Sequence, residues 1–402
     1  MTGIVIVGGG ECGISAAFAA RDQGYCGPIS IFCDEAGLPY ERPPLSKPTG
    51  SELVEKPICT AEKLRDCAIT LVPDVAVVDV DAAGRRLILS TGAACEYDNL
   101  LLATGAIPRK LTCPGGERAL SFRTARDARR IYAAAGQNTN VTVIGAGLIG
   151  LELAAVLSGR GVQVTVLEYG PRALGRNVPG PLAARIANRH LAEGVQLNCD
   201  VRIERITERE IALADGRCIP ADVVVAAIGV LANDDLARRA GLVTSNGVCV
   251  DALLQTSDPH IYAAGDCASI VDDNGFGQRF ETWQNAVAQG DIAGRNMAGA
   301  NMAFGGPVWF WSDQYDLGLQ AVGDTGGGRI VVRQVDVATE LHFFLDAESR
   351  LVGAAGLGIA NAVAKDIKLA QKLIVARVPL DPAQLSDPHV GLKTILRPLV
   401  TT

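Results

Sequence analysis

IVIVGGGECG, residues 4–13, is an apolar run of four residues followed by glycines in the spacing G-x-G-x-x-G. The run predicts a buried strand, and the glycines predict a tight turn into a helix. In this motif Gly8 permits the turn, Gly10 lets a pyrophosphate approach the backbone, and Gly13 lets helix and strand pack closely. The stretch therefore predicts a strand–turn–helix unit that binds a dinucleotide at the helix N-terminus.

The same pattern occurs a second time, in VTVIGAGLIG at residues 141–150. Its glycines, Gly145, Gly147 and Gly150, have the same spacing. A single glycine-rich turn would be weak evidence, because ordinary tight turns also contain glycine. Two copies, each placed between an apolar strand pattern and a helix pattern, predict two dinucleotide-binding units in one chain.

Each turn is followed, about 20 residues on, by a second strand pattern that ends in an acid, as the motif requires. ISIFCDE ends at Asp34 and Glu35, and VQVTVLE ends at Glu168. A carboxylate at that position accepts hydrogen bonds from ribose hydroxyls. Glu168 would also repel a 2′-phosphate, which favours NADH over NADPH. Arg172 and Arg176 follow closely, however, and a nearby arginine can hold that phosphate.

The composition describes a large protein with a substantial core. The chain has 402 residues, of which 48% are hydrophobic and 20% charged, so two or three domains are expected. A formal net charge of −7 argues against a general nucleic-acid binder. No apolar run approaches the ~20 residues that a membrane-spanning helix needs.

The cysteines and histidines give no sign of disulfides or of a metal site. The eleven cysteines include no CxxC or CxxxxC pair, and the chain begins with a strand pattern rather than a signal segment. We therefore expect reduced, mostly buried cysteines in a soluble, cytoplasmic protein. The four histidines are scattered, and no metal-ligand cluster is visible.

Two further segments accompany the first nucleotide unit. YDNLLLATGAIPR, residues 97–109, predicts a buried strand that runs into a Thr-Gly turn. TSDPHIYAAGDCA, residues 256–268, predicts a short strand ending near Asp266, whose carboxylate could accept a hydrogen bond from the ribityl chain of a flavin. VVVAAIGVLAN at 223–233 is the corresponding strand of the second unit and reaches Gly229, near the expected nicotinamide.

The first domain is therefore expected to be interrupted by the second. We predict an FAD-binding domain at 1–110 and 241–306, an NAD-binding domain at 111–240 and a C-terminal domain at 307–402. In the last of these, strand-length apolar runs such as ELHFFLD precede a helix pattern at about 360–376. The predicted fold class is α/β, with two Rossmann-like domains of the three-layer ββα type and a C-terminal α+β domain.

The motifs GGGECG, LPYERPPLSK, LLATGA, IYAAGDCA, ETWQNA and WFWSDQY occur in order along the whole chain. Together they resemble the FAD-dependent NADH:ferredoxin reductases of bacterial oxygenase systems, a family that includes putidaredoxin reductase and the reductase components of aromatic-ring dioxygenases. The resemblance implies a glutathione-reductase-like fold, tightly bound FAD and NADH as the exchanged substrate. It also implies a small [2Fe–2S] ferredoxin as transient partner and an oxygenase, either an aromatic-ring dioxygenase or a cytochrome P450, as indirect partner of a monomer or homodimer.

The loop RPPLSK, residues 42–47, stands where glutathione-reductase relatives carry a redox-active cysteine pair. Pro43 and Pro44 fix φ and stiffen the loop, so Lys47 can be held in place. The resemblance places Lys47 near N5 of the flavin, where a cation would stabilise the reduced ring, and gives Arg42 a flavin contact. A solvated loop lysine is the alternative. Without the dithiol, electrons would leave one at a time, or to oxygen.

The resemblance also assigns Glu152 and the tryptophans to the flavin. Glu152 would interact with the nicotinamide carboxamide or the region of Lys47; a first-turn acid that favours the helix dipole is the alternative. Trp283 would lie over or beside the flavin. Trp309 and Trp311 would form an aromatic wall between flavin and surface. Ordinary core packing is the alternative for all three tryptophans.

The site residues predicted from the motifs and the resemblance fall into two sets, and no metal ligand is among them. The residues predicted to act in catalysis are Lys47, Glu152 and Trp311. The residues predicted to contact FAD or NADH are Gly8, Gly10, Cys12, Gly13, Asp34, Glu35, Arg42, Lys47, Val75, Ala103, Thr104, Gly105, Arg123, Asp266, Trp283, Gly145, Gly147, Ile149, Gly150, Glu168, Arg176 and Gly229.

Several alternatives to this function stay open at the level of sequence. Lys365, Lys368 and Lys372 fall on one face of the last predicted helix and indicate either a docking surface for an acidic ferredoxin or a solvated face. A rubredoxin reductase or an NADH oxidase would share the same chemistry. A disulfide reductase is disfavoured by the missing dithiol. A signalling flavoprotein resembling apoptosis-inducing factor is disfavoured by Lys47, Glu152 and the lack of a targeting segment.

Overall fold

The computed structural model describes residues 2–47, 53–176, 178–272 and 274–400. The chain divides into two compact units. The first unit comprises Met1–Pro44, Val54–Ile107 and Val230–Gly305, and the second comprises Leu45–Leu53, Pro108–Gly229 and Gly306–Thr402. The predicted division into three domains stays a prediction.

The strands in chain order are β1 (Ile4–Val7), β2 (Ile29–Phe32), β3 (Ile69–Val72), β4 (Val77–Asp81), β5 (Arg86–Leu89), β6 (Ala94–Glu96), β7 (Asn99–Leu102), β8 (Ala106–Pro108), β9 (Leu120–Ser121), β10 (Asn140–Ile144), β11 (Gln163–Leu167), β12 (Gln196–Asn198), β13 (Ile203–Ile206), β14 (Glu210–Leu213), β15 (Cys218–Pro220), β16 (Val223–Ala226), β17 (Val230–Ala232), β18 (Val248–Val250), β19 (Ile261–Ala263), β20 (Ala268–Val271), β21 (Gly277–Gln278), β22 (Trp309–Gln314), β23 (Leu317–Gly323), β24 (Arg329–Gln334), β25 (Glu340–Leu345) and β26 (Leu351–Ile359).

The α-helices are α1 (Glu11–Asp22), α2 (Ala61–Asp66), α3 (Ala125–Ala134), α4 (Leu148–Gly159), α5 (Gly180–Ala192), α6 (Asp235–Arg239), α7 (Trp283–Met297), α8 (Ala364–Ala376), α9 (Pro382–Ser386) and α10 (Leu392–Val400). Short 3₁₀ turns occur at Pro43–Ser46, Gly116–Arg118 and Gly265–Cys267. No helix in the described part of the chain combines the length and the apolar character needed to cross a membrane.

The first unit is built on a parallel sheet with the strand order β19-β7-β1-β2-β3. Its central strand β1 is buried along its whole length, as in a sheet covered on both faces. Helices α1 and α7 pack against each other at close range. A Cβ on Gly290 would lie 2.4 Å from the backbone oxygen of Cys12, and one on Gly294 would lie 2.1 Å from that of Ala16. Glycines in α7 therefore set how closely it approaches α1.

The second unit repeats this plan and adds a different sheet. Its parallel sheet has the order β12-β11-β10-β16-β9, and an antiparallel sheet has the order β22-β23-β26-β25-β24. Apolar residues of α8, α9 and α10 form a buried cluster with the antiparallel sheet. Lys365, Lys368 and Lys372 are exposed on α8, as both interpretations of these residues require.

The two glycine-rich turns have the same backbone geometry. Gly8 has a φ of +116° and Gly145 a φ of +105°, which is the left-handed region that glycine alone adopts without strain. A Cβ on Gly8 would lie 2.1 Å from the backbone oxygen of Ala103, and one on Gly145 would lie 2.4 Å from that of Ala227. In both units the turn therefore passes directly against the neighbouring strand's end.

Gly150 should be essential for the packing of α4, whereas Gly159 in the last turn of the same helix should not be. A Cβ on Gly150 would lie 2.1 Å from the backbone oxygen of Gly145, but one on Gly159 would meet no atom within 4 Å. We expect Gly150→Ala to lower the free energy of unfolding by about 1–3 kcal/mol. Gly159→Ala should leave it unchanged or raise it by up to about 1 kcal/mol. Urea denaturation measures both, and equal stability of the two variants would contradict this close approach.

Candidate active site

The first glycine-rich turn leaves room for an anion at the start of α1. Gly10 precedes α1 in an extended conformation, and no side chain caps the helix. A Cβ on Gly10 would meet no atom within 4 Å, so the space beside it is open. The first N–H groups of the helix and its dipole therefore favour a phosphate at this point.

Buried polar atoms near this turn also fit a polar ligand such as FAD. Among the described residues, Oε1 of Glu11 and Nε2 of Gln289 are buried without a hydrogen-bond partner. The other amide atom of Gln289, Oε1, accepts a hydrogen bond from the N–H of Gly265 at 2.7 Å. Burial raises the pKa of Glu11. Since unpaired buried polar atoms are costly, a bound dinucleotide with many hydroxyl and phosphate oxygens suits this part of the first unit.

The acids after β2 have different surroundings. Asp34 is exposed, whereas Glu35 is half-buried. Oε1 of Glu35 accepts from Arg42 at 2.8 Å, and Oε2 accepts from the hydroxyl of Tyr40 at 2.5 Å. The structure therefore brings together two of the predicted residues, Glu35 and Arg42. Tyr40 was missed by sequence reasoning, although it lies in the quoted motif LPYERPPLSK.

Three of the predicted residues converge on the first turn from other strands. The backbone oxygen of Ala103 borders Gly8, as described above, and Thr104 donates from Oγ1 to the backbone oxygen of Asn233 at 2.5 Å. Asp266 lies in the 3₁₀ turn after β19. Its neighbour Gly265 packs against Cys12, since a Cβ there would lie 3.1 Å from that of Cys12.

Cys12 and Cys267, next to this turn, are buried free thiols. Burial raises the pKa of Cys12 well above its ordinary value, with smaller contributions from Cys267 and Asp266. Burial also raises the pKa of Cys267. Because the thiolate is the reactive form, the raised pKa values disfavour reaction at both sulfurs.

The remaining residues predicted to contact the flavin are divided between the two units. Gly105, after β7, has a φ of +69°. Val75 is half-buried between β3 and β4, and Trp283 is the first residue of α7. Arg123 belongs to the second unit, just before α3, and its backbone N–H donates to Asp127 at 3.1 Å. The structure thus assigns Arg123 to a different unit from the first glycine-rich turn.

The second glycine-rich turn repeats the open geometry of the first. Gly147 precedes α4 in an extended conformation without a side-chain cap, and a Cβ there would meet no atom within 4 Å. Ile149 is exposed on the first turn of the helix. Glu168 accepts from the backbone N–H groups of Ala146 and Gly170, each at 2.7 Å. Its carboxylate is therefore fixed beside the turn, where each oxygen keeps a second lone pair for a ribose hydroxyl.

The two arginines that follow Glu168 do not share one role. The guanidinium of Arg172 donates to four backbone oxygens of its own loop, those of Ala173, Leu174, Gly175 and Val178. These contacts leave it no free donor pair with which to clasp a 2′-phosphate. Arg176 instead lies near Gly229 (φ +90°), as does Arg109: a Cβ on Gly229 would be 3.7 Å from Arg176 and 3.9 Å from Arg109. Arg109 was missed, although it ends the quoted segment 97–109.

Lys47 is held between two carboxylates within the second unit. Its Nζ lies 3.3 Å from Oε1 of Glu152 and 3.0 Å from Oδ2 of Asp313. Nζ also lies 5.4 Å from the centre of the Trp311 ring, within the range of a cation–π contact. Trp311 stacks on Trp309 with ring centres 5.0 Å apart. The side chain of Lys47 is only 22% exposed, so it is fixed rather than freely solvated.

Glu152 is almost completely buried beside this lysine. It is 6% exposed. The hydroxyl of Ser46 donates to Oε2 at 2.5 Å, and that of Ser312 donates to Oε1 at 2.6 Å. Burial raises the pKa of Glu152, while the charge of Lys47 and the two hydroxyls act in the opposite direction. Ser46, Ser312 and Asp313 were not predicted, although all three lie in the quoted motifs.

Two parallel-sheet units, each with a glycine-rich turn open to an anion, define an oxidoreductase of the two-dinucleotide class. Residues 2–290 match the family described as "Pyridine nucleotide-disulphide oxidoreductase", and residues 309–396 match the one described as "Reductase C-terminal". The chain belongs to the pyridine nucleotide-disulphide oxidoreductase family. The predicted class of enzyme, an FAD-dependent oxidoreductase that uses NAD(P)H, is confirmed.

Solved structures that are similar to this chain over nearly its whole length include ferredoxin reductases. The ferredoxin reductase for the CYP199A2 system from Rhodopseudomonas palustris is 34% identical, with a TM-score of 0.92 over 98% of this chain and 100% of that one. Putidaredoxin reductase, in a covalent complex with putidaredoxin, is 32% identical, with a TM-score of 0.90 over 100% and 99%. A protein named Fdr9 is 30% identical, with a TM-score of 0.86 over 98% and 99%. The resemblance to ferredoxin reductases and the predicted fold class are confirmed.

Glu168→Arg should shift the nucleotide preference towards NADPH. The substitution replaces the charge that would repel a 2′-phosphate with one that attracts it, and Arg172 is already engaged by its own loop. We expect the ratio of kcat/KM for NADPH to that for NADH to rise at least about tenfold, the effect of one favourable contact of roughly 1.4 kcal/mol. Steady-state assays with ferricyanide as acceptor measure this ratio.

The matched control is Glu204→Arg, which makes the same charge change at an exposed position of β13. It should leave the ratio unchanged. A ratio that also stays unchanged in Glu168→Arg would reject the role of Glu168 in nucleotide selection.

Proposed function

We propose that this protein is a ferredoxin reductase that passes electrons from NADH through FAD, one at a time, to a [2Fe–2S] ferredoxin that supplies an oxygenase. The observation that carries this proposal is the loop 42–47. It contains no cysteine, and its last residue, Lys47, is fixed between Glu152 and Asp313. The position that serves a disulfide in other branches of the family therefore carries a cation.

The missing dithiol limits where the electrons can go. NADH gives up two electrons as a hydride, and FAD, when bound, supplies the conversion from this two-electron step to one-electron transfer. In a disulfide reductase the next acceptor is a cysteine pair in the chain itself. Burial raises the pKa of Cys12 and of Cys267, which disfavours the reactive thiolate at both, so neither is suited to replace that pair. The acceptor must then be a separate molecule.

The neighbouring structures support a ferredoxin as that acceptor. Two of them are described as a ferredoxin reductase for the CYP199A2 system and as a complex of putidaredoxin reductase with putidaredoxin. The match of residues 309–396 to the family described as "Reductase C-terminal" extends the likeness to the antiparallel sheet and its helices. An oxygenase as the final consumer, a cytoplasmic location and a monomer or homodimer stay predictions from the sequence.

Each nucleotide has a set of residues suited to hold it. In the first unit, the open space beside Gly10 suits the pyrophosphate of FAD, and Asp34 and Glu35 follow β2, where the motif expects a ribose. In the second unit, the turn at Gly147 and the fixed carboxylate of Glu168 suit NADH. The charge of Lys47 would favour an anionic reduced flavin.

Anaerobic stopped-flow spectroscopy tests the acceptor directly. The holoprotein is first reduced with NADH and then mixed with an oxidised [2Fe–2S] ferredoxin, with rubredoxin or with a small disulfide. We expect fast ferredoxin reduction, with two ferredoxins reduced per NADH, because each cluster takes one electron. Turnover of the disulfide, or a long-lived reduced flavin that passes electrons to none of these acceptors, would contradict the proposal.

Lys47→Gln and Lys56→Gln form a matched pair for the same experiment. Lys56 is a surface lysine that pairs with Glu41 and is 66% exposed. Lys47→Gln should slow flavin reduction by NADH about tenfold or more, the effect of losing roughly 1.4 kcal/mol of charge stabilisation. Lys56→Gln should match the unaltered protein. Equal rates in both variants would remove Lys47 from the reaction.

A further inference from the structure

A chain of buried polar side chains connects Glu152 on α4 with His190 on α5. Ser312 donates to Oε1 of Glu152 at 2.6 Å, and Gln314 donates from Nε2 to Ser312 at 3.0 Å. Nε2 of His190 lies 2.8 Å from Oε1 of Gln314. Nδ1 of His190 lies 3.1 Å from the hydroxyl of Tyr315. Side chains of β22 therefore connect Glu152 to His190 by hydrogen bonds.

The geometry of β22 explains why two of its side chains lie in line. Successive residues of a strand point to opposite faces, so Ser312 and Gln314 share one face. Both are buried, at 1% and 2% exposure, and His190 is 0% exposed. Polar groups buried this deeply must satisfy one another, because water does not reach them. A fully paired chain of this kind has few alternative arrangements.

The direction of each hydrogen bond follows from its neighbour. A hydroxyl that donates to Glu152 leaves the oxygen of Ser312 free to accept from the NH₂ group of Gln314. The oxygen of Gln314 then needs a donor, which is the N–H at Nε2 of His190. Nδ1 of the neutral imidazole accepts from Tyr315. In this direction every donor points towards an ionised carboxylate.

The opposite direction requires a protonated Glu152. The acid would donate to Ser312, Ser312 to the oxygen of Gln314, and the amide NH₂ of Gln314 to Nε2 of His190. The imidazole proton would then be on Nδ1 and point to Tyr315. The orientation of the Gln314 amide thus links the tautomer of His190 to the charge of Glu152: a proton on Nε2 accompanies the ionised acid, and a proton on Nδ1 accompanies the neutral acid.

At the Glu152 end, burial raises the pKa of the carboxyl, and the charge of Lys47 with the hydroxyls of Ser46 and Ser312 favours the ionised state against it. Lys47 lies 3.3 Å away, with Asp313 on its other side, and Ser46 donates a second hydrogen bond. Tyr132 is a further titratable group that faces this end. Burial raises the pKa of its hydroxyl, the charge of Arg160 lowers it, and the charge of Glu152 raises it, so the hydroxyl is neutral.

Groups at the His190 end keep the imidazole neutral. Burial lowers the pKa of His190, while its hydrogen bond to Gln314 and the charge of Glu193 act in the opposite direction. Burial raises the pKa of Tyr315 to about 12, so its hydroxyl keeps its proton. Arg189 is the cation at this end and lies over the Tyr315 ring; it forms ion pairs with Glu193 and Asp316.

We propose that His190 is a positioning residue for Glu152: through Gln314 and Ser312, its Nε2–H tautomer holds the carboxylate ionised and directed towards Lys47. His190 acts on Glu152 through this chain of hydrogen bonds. The assignment of Glu152 to the redox reaction rests on the proposed function. The positioning of Glu152 by His190 does not.

The tautomer of His190 is the first test and needs no altered protein for its main result. The holoprotein is labelled with ¹⁵N-histidine, and long-range ¹H–¹⁵N spectra are recorded near neutral pH. The chain has four histidines, so the signal that disappears in His190→Gln identifies the residue. We expect a neutral ring with its proton on Nε2. A proton on Nδ1, or an imidazolium, would overturn the proposal.

The second test follows the protonation of Glu152 itself. Infrared spectra of the holoprotein are recorded across a pH titration, and the carboxylic-acid band of Glu152 is assigned by its loss in Glu152→Gln. In His190→Leu the donor to Gln314 is absent, so the midpoint should rise by about one pH unit, a tenfold gain in proton affinity. His190→Gln keeps an N–H donor and should restore the midpoint of the unaltered protein.

Gln314→Met interrupts the chain at a different residue and covers the case in which His190→Leu does not fold. It should raise the midpoint in the same way. An unchanged midpoint in whichever of these variants folds would overturn the proposal, as would a His190→Gln midpoint equal to that of His190→Leu. The pH profile of flavin reduction by NADH should move with the infrared midpoint. If only this profile fails to move, the assignment of Glu152 to the reaction fails, while its positioning by His190 stands.

Discussion

Everything in this structure depends on backbone packed against backbone at two turns. At Gly8 and Gly145 the chain leaves a strand with a positive φ and passes the end of the neighbouring strand so closely that a Cβ would overlap a carbonyl oxygen. Gly10 and Gly147 instead border open space, because a Cβ on either would meet no atom within 4 Å. The first pair of glycines fixes the helix start, and the second leaves its N–H groups accessible to phosphate.

The second constraint is electrostatic. A carboxylate as buried as Glu152 is stable in its ionised form only where several donors surround it. Lys47, Ser46 and Ser312 supply these donors from segments far apart in the sequence, and the last of them comes from the antiparallel sheet. The antiparallel sheet of the second unit therefore completes the surroundings of this acid.

Local patterns in the sequence predicted the architecture well, because each depends on residues close together in the chain. The glycine spacings, the apolar strands and the acids after them require only short-range geometry. The loop that carries Lys47 could also be recognised, because the residues next to it in the chain form the motif LPYERPPLSK. The helix expected from about residue 360 begins at Ala364, since helix ends are set by local details that apolar patterns do not resolve.

What sequence reasoning missed depends on where the folded backbone places each side chain. Arg172 looked available to a phosphate, but carbonyl groups of its own loop use its guanidinium. His190 looked like one of several scattered histidines, and only the folded chain shows it in line with Gln314, Ser312 and Glu152. No periodicity could reveal this line, because its members come from two helices and a strand that are distant in sequence.

One chain holds a flavin and a nicotinamide nucleotide on two copies of the same turn, and the flavin content of the purified protein tests this most directly. Acid release and quantification should give one FAD per chain, and one equivalent of NADH should bleach the yellow colour under anaerobic conditions. A colourless protein that could not be reconstituted with FAD would contradict the account.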